Sequence, residues 1–283
     1  MFPTPIENSS SLIRIGYKVI LPIALFLWLL PLLGIAFTSI RPAADLDAGN
    51  YFGWPSNFAG VENYTSVFTR SNIGYYILNS FKVTIPTVIG TLILSTLAGY
   101  ALAIYNFRSN LIIFFLFVAG NFVPFQILAI PVRDLSIDMG LYDTSIGLIM
   151  FHIAFQTGFC TLFMRNFIKA LPVVLIESAR VEGVNDWKIF YYIVLPLVRP
   201  AIAALAVLVF TFIWNDFFWA TIMSQSVSVR PITAGISELK GQWKAAWELI
   251  AAASIIAALP PVAMFFMMQK HFIAGLTLGA TKG

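Results

Sequence analysis

Six apolar stretches of about twenty or more residues, each almost free of charge, constrain this chain more than any other feature of its sequence. A helix needs about 20 apolar residues to cross the ~30 Å hydrocarbon core of a bilayer. Transmembrane strands are excluded, because barrels use ~10-residue alternating segments rather than unbroken apolar runs such as residues 111–118. The sequence therefore predicts an all-α, polytopic membrane protein with six transmembrane helices. The predicted spans are 19–40, 83–107, 109–132, 144–164, 200–223 and 249–269.

Composition excludes several other classes of protein. The chain is 59% hydrophobic and 11% charged, whereas a soluble domain is usually about 25% charged, so a soluble two-domain enzyme is excluded. The net charge of +4 comes without any Lys/Arg cluster, which argues against nucleic acid as a partner. The single cysteine, Cys160, excludes an internal disulfide. The first apolar stretch is too long for a signal peptide and is kept as a span.

The loops predict an orientation in the bilayer. Six spans place both termini on one side, and ten of the 17 Lys and Arg residues fall on that side, against four of the 13 acidic residues. Cytoplasmic loops carry an excess of Lys and Arg, so the termini are predicted to be cytoplasmic. The predicted organisation is a cytoplasmic N-terminus (1–18), a transmembrane domain (19–269) with a long cytoplasmic loop (165–199), and a cytoplasmic tail (270–283).

The cytoplasmic loop has the pattern of two helices joined by a glycine turn. A helical stretch from Val173 to Glu182 ends at Gly183, where a left-handed cap costs no Cβ strain. Asn185 is a suitable N-cap for a second helix with an apolar face, which Pro196 and Pro200 are predicted to end before the fifth span. The residues alone are equally consistent with an amphipathic element lying on the lipid surface.

The same loop carries a motif. Residues 177–183, followed by Phe190, Ile193 and Leu195-Pro196, resemble the "EAA" motif of ABC importer permeases, in which a glutamate, a glycine six positions later and a Leu-Pro at a set distance coincide. Ser178 stands where alanine is usual and Glu182 where aspartate is common, and both keep size or charge. Further segments are similar to the maltose-type carbohydrate permease subunits, namely Asn79-Ser80 and residues 97–103, 214–217, 272–277 and 279–283.

This resemblance implies the type I ABC importer permease fold and a function. The chain would be one of two transmembrane subunits of an ATP-driven, binding-protein-dependent carbohydrate importer in a bacterial inner membrane. The implied partners are a second homologous permease, a dimer of ATP-binding subunits, an extracytoplasmic solute-binding protein and a sugar or polyol. The chain would be no enzyme and hold no cofactor, because ATP and Mg would be bound by the partner ATPase. In agreement, no G-x-x-x-x-G-K-[ST] phosphate loop occurs in the sequence.

The resemblance also implies that the loop 165–199 couples the permease to the ATPase. Glu177 would pair with a basic group of the ATPase, Ser178 and Ala179 would permit close approach, and Arg180 would pair across the interface. Gly183 would let the chain reverse direction against the partner. The alternative for Glu177 and Arg180 is a solvated helix face, and for Gly183 a plain helix cap.

Polar side chains inside the spans are candidates for a translocation path. Such side chains are costly in a bilayer and usually face the bundle interior or a water-filled cavity. The alternative is interhelical hydrogen bonding, worth about 0.6 kcal/mol per bond. Two histidines are too few for a typical His-rich metal cluster, so no metal site is predicted. The candidate path residues are Asn121, His152, Gln156, Thr211, Asn215 and Asp216.

A ribbon of small residues, Thr91, Ser95, Gly99 and Ala103, recurs every four positions in the second span. Small residues let helix backbones approach closely in membranes, so this face is expected to contact another helix. The sequence leaves open whether that helix belongs to this chain or to another subunit.

Three other functions stay open at this point. An ABC importer permease for a different solute, such as a polyamine or a phosphonate, would share the loop. A secondary transporter would need inverted repeats and ion-coupling carboxylates, for which Asp216 is the one candidate. An intramembrane enzyme would have to use Asp216 and His152.

Overall fold

The computed structural model describes residues 10–241 and 245–280, with residues 270–280 described by their backbone alone. The described residues contain helices and no strand, so the predicted all-α class is confirmed. The helices are α1 (Ser11–Ser39), α2 (Ala43–Asp47), α3 (Gly60–Thr69), α4 (Ile73–Ile104), α5 (Asn110–Gly120), α6 (Ala129–Asp138), α7 (Ser145–Lys169), α8 (Val173–Val181), α9 (Asp186–Ile189), α10 (Leu195–Trp214), α11 (Phe218–Met223), α12 (Ile232–Ile236) and α13 (Trp247–Ala280).

The described chain forms two compact units. The first contains the residues up to Ser71 together with Leu239–Ile256, and the second contains Asn72–Glu238 together with the residues from Ala257 on. In the first unit α1 is apolar and exposed along its length up to Ser39, which suits a helix surrounded by lipid. The side-chain amide of Asn63 donates hydrogen bonds to the carbonyls of Ser39 (3.0 Å) and Arg41 (2.7 Å), and this fastens the end of α1 to α3.

Five continuous helical segments are long and apolar enough to cross a membrane: α1, α4, α7, the segment Asp186–Trp214, and α13 up to Gln269. A sixth crossing is formed if the bent pair Asn110–Gly120 and Phe125–Asp138 counts as one span. The helices extend beyond several predicted bounds, because helix ends and membrane boundaries are set by different forces. Ser11 rather than residue 19 begins the first helix, and the predicted tail 270–283 continues α13 as far as Ala280. Residues 1–9 and 281–283 lie outside the described residues.

The third predicted span, 109–132, is divided by a bend and is not one continuous helix. The chain bends by 88° between α5 and the helical segment Phe125–Asp138. Pro124 lacks a backbone N–H, and proline disfavours the helical conformation for the residue before it. Asn121 lies at the end of α5, where its side-chain amide donates a hydrogen bond to the carbonyl of Phe117 (2.8 Å).

The predicted helix break at Pro196 and Pro200 is wrong. The helix that starts at Asp186 runs without interruption to Trp214. A π-helical turn at Phe190–Val194 precedes Pro196, and the N–H of Leu195 bonds to the carbonyl of Phe190. A π-helical turn is wider than an α-helical one, so it relieves the clash of the proline ring with the preceding turn. The fifth predicted span, 200–223, instead ends at Trp214 and is followed by the short helix α11.

Helices α4 and α7 run side by side in the same direction and form the centre of the second unit. A Cβ added at Gly99 would lie 2.8 Å from the Cβ of Met164 and 2.9 Å from the backbone nitrogen of Arg165. Thr91 and Ser95, on the same ribbon of α4, are fully buried. The predicted small-residue contact is therefore confirmed, and its neighbour is α7 of this chain.

The helix α10 packs against α4 in the opposite direction. The ring of Trp214, at its end, stacks on Phe210 and meets Phe81 of α4 edge-on at a centroid distance of 4.7 Å. The indole N–H of Trp214 donates to the carbonyl of Ala257 in α13 (2.9 Å). Trp214 thus joins three helices of the second unit, with its polar atom satisfied in an apolar setting.

The contact at Gly99 yields a stability prediction. Gly99→Ala is expected to lower the unfolding free energy in detergent by about 1–3 kcal/mol, because the new methyl group meets backbone rather than a flexible side chain. Gly34→Ala in α1 is the matched control, since nothing lies within 4 Å of its Cβ position. Thermal unfolding of both variants should show a loss for the first and no loss for the second. Equal midpoints would contradict the close contact.

Candidate functional site

The loop between α7 and α10 begins with a proline and a short helix. Pro172 has an extended backbone conformation and precedes α8, and such a proline is well suited to a helix start because it lacks only an N–H that the helix does not use. Asn185 caps the next helix, since its side-chain oxygen accepts a hydrogen bond from the N–H of Trp187 (2.9 Å). The predicted helix, glycine turn and helix are therefore present.

Gly183 closes α8 with a left-handed cap. Its φ angle is +78°, and the N–H groups of Gly183 and Val184 donate to the carbonyls of Arg180 (3.0 Å) and Ala179 (3.0 Å). This pair of bonds is the Schellman motif, which satisfies helix carbonyls that would otherwise lack partners. No neighbouring atom lies within 4 Å of the Cβ position of Gly183, so its backbone conformation rather than crowding requires glycine here.

The two faces of α8 differ in exposure. Ile176 and Ala179 are buried, whereas Glu177 and Ser178 are exposed. No hydrogen bond or ion pair joins Glu177 to another described residue. Glu177 and Ser178 are therefore accessible from outside the chain, whereas Ala179 is not. Its methyl group faces the interior of the chain and anchors the helix instead.

Arg180 has a partner within the chain. Its guanidinium lies 3.1 Å from the carboxylate of Asp186, across the glycine turn, and 5.6 Å from the ring of Tyr105. Arg180 thus forms an ion pair within the chain, while its pairing across an interface stays a prediction. The six-residue spacing of the two charges around a turn glycine is the signal that could have identified this pair from the sequence.

The loop rests on the end of α4. The hydroxyl of Tyr100 lies 3.5 Å from the carbonyl of Asp186, and its ring contacts Phe190 at a centroid distance of 5.0 Å. Nearby, Arg165 of α7 is buried, donates to the carbonyl of Leu102 (3.2 Å) and lies 3.8 Å above the ring of Phe114. Arg165 therefore joins α4, α5 and α7 at the point where the loop leaves the bundle.

The second candidate site is the break between α10 and α11, where Asp216 acts as a helix cap. Its carboxylate accepts hydrogen bonds from the N–H groups of Trp219 (3.3 Å) and Ala220 (2.9 Å). Its backbone carbonyl accepts from the hydroxyl of Thr233 (2.5 Å). The carboxylate that is costly inside a span is thus stabilised by the free N–H groups at the start of a helix.

The structure brings Asp216 together with a second predicted residue, His152. The Nε2 atom of His152 lies 3.5 Å from Oδ2 of Asp216, and both side chains are largely buried. Aromatic rings surround the pair, because Phe151 contacts both His152 (5.4 Å between centroids) and Trp219 (4.1 Å). The two side chains thus form a close polar pair in an aromatic setting, a contact that sequence reasoning did not anticipate.

The other four predicted path residues are dispersed. Asn121 lies at the bend after α5, Gln156 is half-buried on α7, the hydroxyl of Thr211 donates to the carbonyl of Val207 (2.8 Å), and Asn215 is exposed. Within the described residues no hydrogen bond joins these four to one another or to the His152–Asp216 pair. The structure therefore does not assemble the six residues into one continuous polar row.

The end of the second unit that is remote from α8 has its own polar network. Asn79 donates to the carbonyls of Val227 (2.8 Å) and Arg230 (3.0 Å), and the hydroxyl of Ser80 accepts from the N–H of Ile232 (2.8 Å). The segment Asn79-Ser80, noted for its resemblance, thus holds the loop before α12.

Asp143 fastens the turn after α11. Its carboxylate accepts hydrogen bonds from the N–H groups of Gln225 (2.7 Å) and Ser226 (3.0 Å). Burial raises the pKa of Asp143, but these hydrogen bonds outweigh burial and hold the pKa below its ordinary value. The carboxylate therefore stays ionised and keeps the turn in place at neutral pH.

The described part of the chain contains no group of three or more His, Cys, Asp or Glu residues that could hold a metal ion. Cys160 is buried within α7. The described residues therefore offer two candidate sites, the loop between α7 and α10 and the break between α10 and α11.

Comparison with known proteins identifies relatives of this chain. A family model described as "Binding-protein-dependent transport system inner membrane component" matches residues 92–277. The osmoprotective compounds uptake permease protein GgtD of Synechocystis sp. is 34% identical over 265 residues, which are 91% of this chain and 88% of that protein. The arabinooligosaccharides transport system permease protein AraQ of Bacillus subtilis is 30% identical over 275 residues, which are 96% of this chain and 97% of that protein.

The fold has a counterpart among crystal structures. A chain of a bacterial ABC transporter involved in the import of the acidic polysaccharide alginate superposes with a TM-score of 0.79 and 21% sequence identity, covering 96% of this chain and 99% of that one. This likeness confirms the predicted importer permease fold.

The cap at Asp216 yields a prediction. Asp216→Ala is expected to lower the unfolding free energy in detergent by about 1–2 kcal/mol, because two backbone N–H groups lose their acceptor. Asp216→Asn keeps one acceptor oxygen and should lose less. Asn215→Ala is the control, because this exposed side chain makes no hydrogen bond in the structure and its loss should stay within ~0.5 kcal/mol. A full-sized loss for Asp216→Asn would instead assign the stabilisation to the charge beside His152.

Proposed function

This chain belongs to the family of binding-protein-dependent transport system inner membrane components, and we propose that it is the membrane-spanning permease subunit of an ATP-driven carbohydrate importer. It contributes half of the translocation pathway and transmits the motion of an ATPase through the loop between α7 and α10. The single observation that carries the coupling role is the exposed face of α8 beside the Gly183 turn, held between two membrane-length helices.

Carbohydrate as the solute is supported by relatives of nearly the same length. The names of several relatives specify arabinooligosaccharides, lactose, or melibiose, raffinose and stachyose. A neutral sugar or polyol fits a bundle whose one close pair of ionisable path residues, His152 and Asp216, is internally satisfied. The name of GgtD specifies osmoprotective compounds, and uptake of such solutes is the second candidate function. Competition between labelled sugar and osmoprotectant in an uptake assay distinguishes the two.

The importer needs partners that this chain does not supply. ATP and Mg bind to a separate pair of ATPase subunits, because the sequence has no phosphate loop. A second, homologous permease completes the pathway, and a solute-binding protein delivers the sugar on the outer side. A structural relative is described in complex with an alginate-bound periplasmic protein, which supports the latter partner.

The orientation follows from the coupling role. The loop 165–199 lies on the cytoplasmic side of a bacterial inner membrane, where ATP is available, and both termini lie on that side if the bent helix pair is one span. The excess of Lys and Arg in the loops of that side supports this orientation.

The coupling surface comprises Glu177, Ser178 and the turn at Gly183. Glu177 carries an exposed charge that suits a basic group of the ATPase, and Ser178 is small enough for close approach. Ile176 and Ala179 hold α8 to its own chain, so force applied to the exposed face reaches α7 and α10. Arg180 and Asp186 fix the two short helices relative to one another across the turn.

The path residues have graded roles in this proposal. Asn121, Gln156, Thr211 and Asn215 offer hydrogen-bonding groups that a polyhydroxylated solute can use while the bundle alternates between inward and outward states. His152 and Asp216 hold the break between α10 and α11 in its present geometry. Each ligand shifts the conformational equilibrium only by its differential affinity for the two states.

The coupling proposal is tested with the complete importer in proteoliposomes, by measuring ATP hydrolysis with and without liganded binding protein. Gly183→Pro forces φ to about −65° at a residue that has +78°, so the turn is lost and stimulation by the binding protein should disappear. Glu177→Gln keeps the shape of the side chain, and we expect stimulation several-fold below that of the wild type.

The matched control is Glu62→Gln, which removes an exposed charge from α3, outside the loop. This control should hydrolyse ATP like the wild type. Undiminished stimulation in both loop variants would show that the loop is a passive surface. Failure of any ATPase to assemble with the wild-type chain would contradict the importer function itself.

A further inference from the structure

A groove runs along the outside of α4, between this helix and the start of the segment Asp186–Trp214. One part of this groove has a volume of about 300 Å³ and is lined by apolar side chains that include Leu92, Phe190 and Ile202. The other part, about 270 Å³ in volume, is lined by Tyr100, Tyr105, Asp186 and Trp187 together with two aliphatic residues. Leu97 lines both parts, so the apolar section and the polar mouth lie next to one another along α4.

The apolar section contains one polar group without a partner. Thr96 lines this section, is 4% exposed, and its hydroxyl makes no hydrogen bond with any described residue. A buried hydroxyl without a partner costs free energy, more so in an apolar setting. Threonines in helices commonly bond to the carbonyl one turn earlier, as Thr87 of the same helix does. The hydroxyl of Thr96 is thus left to an occupant of the groove.

The mouth has the side chains of a membrane interface. Trp187 is 71% exposed and Tyr191 is 60% exposed, and such amphipathic rings concentrate at the level of lipid headgroups. Lys188 follows Trp187 and is exposed. The acidic side chain at the mouth, Asp186, is neutralised by Arg180 at 3.1 Å. Lys188, next to the lining residue Trp187 in the sequence, is thus an exposed cation for which the described residues offer no ion-pair partner.

The π-helical turn contributes to this shape. Phe190 and Tyr191 belong to that turn and line the apolar section, and π-helical turns inside helices often occur at functional sites. Thr96 and Tyr100 lie one turn apart on α4, about 6 Å along its axis at ~1.5 Å per residue. The unpaired hydroxyl therefore lies just inside the membrane from the polar mouth.

We infer that this groove binds one anionic phospholipid from the leaflet on the side of α8. An acyl chain occupies the apolar section, an ester oxygen accepts the hydrogen bond of Thr96, and the headgroup lies at the mouth beside Trp187 and Lys188. A bound lipid would link the bilayer to the loop that contacts the ATPase, because Asp186 and Trp187 line the mouth and belong to that loop. This inference concerns a lipid site and holds whichever solute the importer carries.

The test uses the full-length chain, purified in detergent with the subunits that accompany it and mixed with phosphatidylglycerol or phosphatidylcholine before native mass spectrometry. Ile93 and Ile89 are similarly exposed residues of α4, but only Ile93 lines the groove. Wild type and Ile89→Trp should retain phosphatidylglycerol, and Ile93→Trp should retain several-fold less. Lys188→Gln should reduce retention of phosphatidylglycerol but not of phosphatidylcholine, whereas Lys82→Gln, an exposed lysine elsewhere on α4, should change neither.

A second variant protects the test against misfolding of Ile93→Trp. Thr96→Val removes the unpaired hydroxyl at nearly constant volume, so it should leave the unfolding midpoint unchanged or raised while lowering lipid retention. Equal retention of lipid by wild type, Ile93→Trp and Thr96→Val would overturn the inference. Loss of an accompanying subunit from Ile93→Trp, with lipid retention unchanged, would instead identify the groove as a protein interface.

Discussion

The close approach of α4 to α7 at Gly99 is the contact on which the second unit depends. With no side chain at this position, the backbone of Arg165 reaches the surface of α4. Arg165 can then bond the carbonyl of Leu102 near the end of α4 and cover the ring of Phe114 in α5. A side chain at position 99 would separate the helices, and the buried guanidinium would lose its carbonyl partner. The geometry of the loop that follows α7 thus begins at one glycine.

Hydropathy alone predicted the class of the fold and the five continuous spans, because apolar side chains that face lipid form long runs in the sequence. The fully exposed α1 shows the reason, since its run of Leu, Ile and Phe is readable without any knowledge of neighbours. Bounds and bends could not be predicted in this way. Pro124 breaks a helix and Pro196 does not, although both follow apolar residues. Pro196 follows a π-helical turn, whereas Pro86 and Pro200 lie inside helices without one, so a proline in an apolar run does not by itself locate a break.

The candidate sites also contain some features that the sequence predicts and others that it does not. Local signals predicted the loop well, because Gly183 and Asn185 act through their own backbone neighbourhood. The roles of Ala179 and Arg180 depended on which face of α8 turns inward, and residue spacing leaves that undecided for a nine-residue helix. The path residues were identified as polar groups in apolar spans, but the reason for Asp216 is the start of α11, where free N–H groups need an acceptor. A polar residue in a span is therefore evidence of a local requirement before it is evidence of a solute.

The stiffness of the coupling loop has to come from its apolar contacts. The Arg180–Asp186 pair is partly exposed, with side-chain exposures of 39% and 43%, and surface ion pairs contribute only about 0–1 kcal/mol. Such a pair fixes the orientation of α8 relative to α9 but contributes little to the stability of the loop. Ile176 and Ile189 are almost completely buried, and removing a buried side chain of this size costs about 2–5 kcal/mol. These two isoleucines, one on each short helix, therefore contribute more to the rigidity of the proposed coupling loop than the ion pair does.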